Sequence, residues 1–400
     1  MVAAKDLQAG TLLIKEGPIA LGPKATSPLV CLGCHCLVVG KRFCKCPGCG
    51  WPLCSRDCST NGLHTPEECK ILSQDKKKCG VPIKQGETPR YDLILILRCL
   101  LLKTSNPAYW KRIMNMISHG KKRSEDAEPH HAAAIKYYTD VCKVDFDVET
   151  LHHVRGTIIT NAINIRCHTG AELRGIYPVT SRINHSCCPN VNLRSDSQGT
   201  LYVRTAIDLK KGERLSFSYL DPTDPIWQRQ AELLSIYYFS CSCKRCIDPT
   251  ELGTYLSSLS CSNCSDDYLI PGDGWLSPWV CSKCNTKKDS SEVSKEVDLK
   301  KYCIEKRTKT PESAQILMKE ISKDYHCNYY VWISVAQTVL RVLRKDNSLM
   351  SLKLRRDLWD NLLKIHEVIE PGLNRRRGMK VLLIVIVLLH SINKLNILCQ

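Results

Sequence analysis

The chain opens on short apolar stretches set off by glycine. Thr11-Leu-Leu-Ile14 and Ile19-Ala-Leu21, flanked by Gly10, Gly17 and Gly22, predict strands joined by tight turns. A longer apolar run covers residues 91–103, interrupted by Asp92 and Arg98. It reads as a buried helix, although periodicity alone does not separate it from a buried strand. Residues 121–131 are polar and charged and read as a loop. Residues 150–220 return to short β-type segments, notably Leu201-Tyr-Val-Arg-Thr-Ala206 and Arg214-Leu-Ser-Phe-Ser-Tyr-Leu220, with Gly199, Gly212 and Pro222 as punctuation. After residue 286 the period becomes helical, and Thr310-Pro311 supplies an N-cap and a first-turn proline. Trp332, Val335, Val339 and Leu343 then share one helical face, and Leu354, Leu358, Leu362, Ile365 and Ile369 another. From Val381 the tail is apolar without a polar counter-face. It reads as a core helix or as the mark of a chain cut short.

Length and composition narrow the class. At 400 residues, 43% hydrophobic and 24% charged, the chain is neither disordered nor collagen-like. Its longest uninterrupted apolar run, residues 381–389, falls well short of the roughly 20 residues that cross a bilayer. No membrane association is expected. Lys5 and Asp6 interrupt the start where a secretory signal would need an apolar core. A chain retained in the cytoplasm, the nucleus or both is therefore expected. The formal net charge is +17, from 57 basic and 40 acidic residues, and about half of the excess lies in the last hundred residues. Such a charge suits nucleic acid or acidic protein tails, but a solvated helical face explains it more simply.

A reducing compartment changes what 25 cysteines mean, since thiols there stay free unless they bind metal or do chemistry. Four ordered pairs stand between residues 31 and 69: Cys31 with Cys34, Cys46 with Cys49, Cys54 with Cys58, and His64 with Cys69. Eight ligands in four pairs make two tetrahedral zinc sites. Cys36 and Cys44 are spare, so the third pair could shift to Cys44. A redox role lacks the βαβ pattern that would support it. Cys241, Cys243 and Cys246 supply three ligands of a third site, for which Cys187 is the chosen fourth. Cys261, Cys264, Cys281 and Cys284 have zinc-ribbon spacing. No site has an obvious open position, so the zinc, about four ions, is expected to be structural. Cys99, Cys142, Cys303 and Cys327 are expected to be small buried hydrophobes.

Between the cysteine blocks lie Asn184-His-Ser-Cys-Cys-Pro-Asn190, Gly212-Glu-Arg-Leu-Ser-Phe-Ser-Tyr219 and Tyr237-Tyr-Phe239. In these elements, their order and their separations, the chain resembles the SET and MYND domain family of protein lysine methyltransferases. The block at 31–69 is similar to the MYND finger that interrupts the SET domain of that family, and the ribbon is most similar to its arthropod branch. The resemblance implies an α+β protein with a β-rich knotted SET core, a post-SET zinc site and a helical C-terminal domain. It implies S-adenosylmethionine as cofactor and lysine in a protein substrate as methyl acceptor. Tyr219 matches the catalytic tyrosine and is expected to contact the cofactor as well. Asn184 and His185 match cofactor-holding positions, as do Asn161 and Ser181, while Tyr237 and Phe239 match aromatics that line the cofactor and the lysine channel. The family's Gly-x-Gly element would stand upstream of Ala3, and this sequence begins after it.

The expected layout is a SET N-terminal part at 1–29, the double finger at 30–70, a helical insert at 71–150, the SET core at 151–222, the post-SET site and ribbon at 223–285, and a helical domain at 286–400. A monomer is expected. One rival reading is an inactive MYND adaptor that binds proline-rich peptides in transcriptional regulation. A nucleic-acid-binding zinc protein is the other, disfavoured because the basic excess lies mostly outside the zinc blocks. The run Arg375-Arg-Arg377 is too short to serve as a nuclear address.

Overall fold

The computed structural model describes residues 1–372 except 39–43, 60–61, 76–88, 127, 167–169, 265–266, 295–309 and 347. The apolar tail from Val381, the basic run at 375–377 and Cys303 lie outside the described residues. The chain divides into two compact units, one of Leu12–Ile183 with Leu193–Arg204, the other of Met1–Thr11, Asn184–Asn192 and Thr205–Gln400. Residues 1–29 are thus shared between the units.

In the unit that begins at Leu12, both predicted strands form. Leu12–Glu16 pairs antiparallel with Leu201–Thr205, and Ala20–Pro23 pairs antiparallel with Glu172–Ile176, which also pairs with Ile163–Arg166. The apolar run becomes the helix Ile94–Ser105, with Ile94, Leu95, Ile96, Leu97, Cys99 and Leu100 buried. Its cation, Arg98, is answered on every side. The Nη1 group donates to Leu21 O at 2.7 Å, Nη2 to Leu32 O at 2.8 Å and Nε to Glu68 Oε2 at 2.7 Å. His35 Nε2 stands 2.9 Å from Nη1. Burial, then the charge of Arg98, pushes the His35 pKa down to about 3, so this ring is neutral and accepts. One guanidinium thus joins a strand, the finger and the helix.

Residues 121–131, read from the sequence as a loop, instead contribute to the helices Gly120–Glu125 and Pro129–Lys136. The start of the segment 150–220, read as strand and loop, belongs to the helix Val148–Asn161, capped by Asp147, whose side chain accepts from Thr150 N. Packing explains both differences. A Cβ on Gly156 would collide with Ser118 O and stand 2.8 Å from Gly120 Cα. Two helical backbones meet there, and that close approach outweighs the polar local sequence.

In the unit that begins at Met1, Asn184–His185 pairs parallel with Ser216–Phe217. The Asn190 amide fastens the same two segments. Its Nδ2 donates to Arg214 O and its Oδ1 accepts from Ser216 N, both at 2.8 Å. The N-terminus runs beside them, with Ala3 N donating to Glu213 O at 2.9 Å and Leu215 N to Met1 O at 3.0 Å. Only Ser216–Phe217 of the apolar segment at 214–220 is strand. Further on, Leu259–Ser260, Tyr268–Pro271, Trp279–Cys281 and Lys287–Lys288 form a four-stranded antiparallel ribbon. The helices Pro311–Asp324, Tyr330–Val342 and Leu349–Ile369 follow. Thr310 caps the first, accepting from Ser313 N in a capping box. Trp332, Val335, Val339, Leu343, Leu358, Leu362, Ile365 and Ile369 bury the predicted faces, with Leu354 partly buried beside them. The C-terminal end of the last helix meets the Asn184–Asn192 segment, where Asn192 Nδ2 donates to Gly372 O at 3.3 Å.

Gly156→Ala separates local propensity from packing. Propensity alone stabilises an interior helical position by about 1 kcal/mol. Overpacking against Ser118 and Gly120 costs about 1–3 kcal/mol. A lower urea midpoint is expected, and an unchanged or raised one would refute the close contact.

Candidate functional site

Three Cys-x2-Cys turns share one backbone solution. In each, the residue after the second cysteine donates its N–H back to the first cysteine's carbonyl: His35 to Cys31 and Gly50 to Cys46 at 2.8 Å, Asn285 to Cys281 at 3.0 Å. All three adopt the left-handed conformation, with φ of 58°, 77° and 58°. Glycine and asparagine suit it, whereas His35 is held there with its ring on Arg98. The turn brings two sulfurs to one side. Pairs then combine in interleaved order: Cys31 and Cys34 with Cys54 and Cys58, and Cys46 and Cys49 with His64 and Cys69, each group with its ligand atoms within 4.8 Å of one another. Cys36 and Cys44 stay outside both groups.

His64 presents Nε2, 3.4 Å from Cys49 Sγ, and turns Nδ1 to Glu68 Oε1 at 2.8 Å. This carboxylate–imidazole arrangement orients metal-binding histidines. Burial alone would raise the Glu68 pKa. Arg98, followed by His64, outweighs that penalty and holds the carboxyl below its ordinary range. The network is therefore charged as well as buried.

Cys187 joins Cys241, Cys243 and Cys246 in a third group, and Cys261, Cys264, Cys281 and Cys284 form a fourth on the ribbon. Behind the third group lie Arg229 and Arg245, both fully buried. Arg229 Nη2 stands 3.9 Å from Cys246 Sγ, and Arg245 Nη1 donates to Cys187 O at 3.3 Å. Glu251 bridges the two cations, at 2.6 Å from Arg229 and 3.1 Å from Arg245. Two cations and one anion leave a net positive charge facing the sulfurs, which favours thiolates.

Next to this group the motif residues converge. The His185 ring lies 5.2 Å from that of Tyr219 and 6.1 Å from that of Phe239. Tyr237 lies 5.0 Å from Tyr219 and 6.4 Å from Phe239. Tyr237 ends the helix Ile226–Tyr237, and Tyr238, left-handed at φ 60°, turns the chain so that Tyr237 and Phe239 both reach the cluster. Burial, then the neighbouring Tyr237, pushes the Tyr219 pKa up to about 12, so its hydroxyl keeps its proton. His185 is likewise neutral, because burial pushes its pKa down to about 4. Asn184, the residue before His185 in the strand Asn184–His185, is exposed.

A sequence profile of the SET domain matches residues 1–220, more than half of the chain. The chain belongs to the SET domain family. This SET protein is 26% identical over 317 residues to SET domain-containing protein SmydA-8, isoform A, of Drosophila melanogaster, a likeness covering 76% of this chain and 66% of that protein. It is 23% identical over 397 residues to histone-lysine N-methyltransferase ASHR1 of Arabidopsis thaliana, covering 94% and 80%. To SET domain and MYND-type zinc finger protein 6 of Schizosaccharomyces pombe it is 31% identical over 183 residues, covering 45% and 35%. With its interleaved double site, the chain is a SET protein of the SET and MYND type.

Two candidate residues of this SET protein lie in the unit that begins at Leu12. Asn161 ends the helix Val148–Asn161 and donates Nδ2 to Ile117 O at 2.7 Å and Thr157 O at 2.9 Å. Ser181 sits in the short helical turn Thr180–Arg182. Of the spare cysteines, Cys99 and Cys142 are buried as expected, whereas Cys327 is exposed, a correction. Its place just before the helix Tyr330–Val342 keeps it off the apolar faces. Sequence reasoning missed Glu68, Arg98, Arg229, Arg245 and Glu251. Only Glu68 left a signal, four residues after His64 on a helix.

Metal content by native mass spectrometry tests these groups. Four ions are expected per chain. Cys187→Ser should remove one and spare the finger, and Glu68→Gln should weaken one finger site about 10–100-fold. A Cys187→Ser chain that still holds four ions would exclude Cys187 as a ligand.

Proposed function

We propose that this protein transfers methyl groups from S-adenosylmethionine to the side-chain amine of lysine in a protein substrate, histone or non-histone. The observation that carries the reading is the convergence of His185, Tyr219, Tyr237 and Phe239 into one aromatic cluster, with the exposed Asn184 preceding His185 in the chain. Membership of the SET family over residues 1–220 supports it, as does the likeness to a protein named for histone-lysine methylation.

The residues suit the cofactor. Aromatic faces attract a cationic sulfonium, and an exposed amide at a strand end can hold a polar ligand. When bound, S-adenosylmethionine supplies a methyl group for in-line transfer to a neutral amine. Asn184 would hold it by the side-chain amide and His185 through backbone groups. Tyr237 and Phe239 would line the cofactor and the lysine channel and exclude water. Alignment and dehydration then do most of the work. A lysine with pKa near 10.4 is neutral about once in 2,500 molecules at pH 7, a penalty of about 4.6 kcal/mol that an apolar channel lowers. Tyr219, protonated across the working range, would orient the amine's lone pair through its hydroxyl.

Zinc would occupy the four cysteine groups in a structural role, since each group offers four protein ligands and so fills a tetrahedral shell. The layout that accompanies this reading is a SET core interrupted by a MYND finger, then a post-SET site, a ribbon and a helical domain, in a protein acting in the cytoplasm or nucleus.

Calorimetry on the metal-loaded chain tests the proposal. Micromolar binding of S-adenosylmethionine is expected, lost in Asn184→Ala. Tyr219→Phe should retain binding and lose about 100-fold in kcat. In the wild type, kcat/KM should climb as pH rises from 7 toward 9 and the amine deprotonates, with no downturn from Tyr219 in that range. A folded, metal-loaded chain that binds no cofactor would overturn the enzyme reading and leave an adaptor for proline-rich peptides.

A further inference from the structure

His185 spends both ring nitrogens on the protein. The backbone N–H of Tyr219 donates to Nδ1 at 3.0 Å. On the other side, Nε2 stands 3.2 Å from Cys187 Sγ. A backbone N–H can only donate, so Nδ1 carries no proton and the neutral ring carries its proton on Nε2, pointed at the sulfur. That sulfur belongs to the group formed with Cys241, Cys243 and Cys246, and it lies 3.5 Å from Cys246 Sγ. A thiolate there is the stronger acceptor, and its position is fixed by whatever the four sulfurs hold. Cys187 is itself fully buried, with Arg245 on its carbonyl.

We propose that His185 is a positioning residue: its imidazole ties the backbone of Tyr219 to the metal-ligand thiolate of Cys187, so that occupancy of the third cysteine group is read out at the tyrosine. Phe217 at 4.9 Å and Tyr237 at 5.0 Å pack their rings against that of Tyr219. The two hydrogen bonds of His185 connect the Tyr219 backbone to the cysteine group as their fixed end. On the ribbon group, Cys281 and Cys284 bond instead to Asp267 and Thr286. For turnover this inference rests on the methyltransferase reading. For the position of Tyr219 it does not.

Hydrogen exchange of the Tyr219 amide in the full metal-loaded chain is the first readout. His185→Leu should speed that exchange more than about tenfold while metal content stays at the wild-type count. His185→Asn places an oxygen near the position of Nδ1 and should restore protection. Cys241→Ser should lose both one ion and Tyr219 protection, whereas Cys281→Ser should lose one ion and leave Tyr219 protected. Imidazole 15N spectra of the wild type should show the Nε2–H form at His185. In turnover, His185→Leu should lower kcat about 10–100-fold. An Nδ1–H tautomer, or Tyr219 exchange indifferent to His185→Leu, would overturn the relay. If the chain proves to have no methyltransferase activity, the exchange and tautomer results still decide it.

Discussion

Sulfur atoms gathered within 4.8 Å of one another are the constraint on which the rest of this protein depends. As thiolates they repel, and they stay together only around a cation, so each group of four behaves as a cross-link between chain segments far apart in sequence. The finger uses two such links in interleaved order, and its Leu32, Trp51 and Leu53 are buried in the core of their unit. The third link joins Cys187 to residues 241–246, and with it the motif at 184–190 to the aromatic pair at 237 and 239. Short strands suffice here because the sulfur groups do what long ladders do elsewhere.

Buried charge is handled the same way around two of these groups. Near the finger, Glu68 stands between Arg98 and His64. Near the third group, Arg229 and Arg245 face Glu251 and the sulfurs. A buried ion pair is weak support for stability in itself, but removing one partner strands the other. The placement of these pairs, directly behind ligand residues, argues for orientation of the ligands as their main effect. Arg98 adds reach, because its remaining donors bind carbonyls of Leu21 and Leu32.

The aromatic cluster inherits its shape from these constraints. His185 is held neutral by burial and bonded at both nitrogens. Tyr219 is held protonated, and Tyr237 and Phe239 are set by a left-handed residue at the end of a helix. A preorganised aromatic wall whose Tyr219 hydroxyl keeps its proton suits chemistry that needs alignment and dehydration more than acid–base transfer.

Much of this was determined by sequence alone. Cysteine and histidine spacing marked fifteen of the sixteen residues that the four groups bring together, and the residues Gly50 and Asn285 after two Cys-x2-Cys pairs already suit the left-handed turn. Thr310-Pro311 marked a helix start, and 3.6-residue periodicity marked the faces of the C-terminal helices, because caps and periodicity are local properties. Tertiary structure alone decided the rest. Which pairs share a site follows from how the chain folds back, so interleaving left no mark in the spacing. The polar residues of Gly120–Glu125 became helical where Gly120 and Gly156 let two backbones touch. Asn161 was given to a helix end and the Ile117 carbonyl. The bonds of His185 to Cys187 and Tyr219 needed residues 34 positions apart to meet, and no local pattern encodes which nitrogen of a ring will face which neighbour.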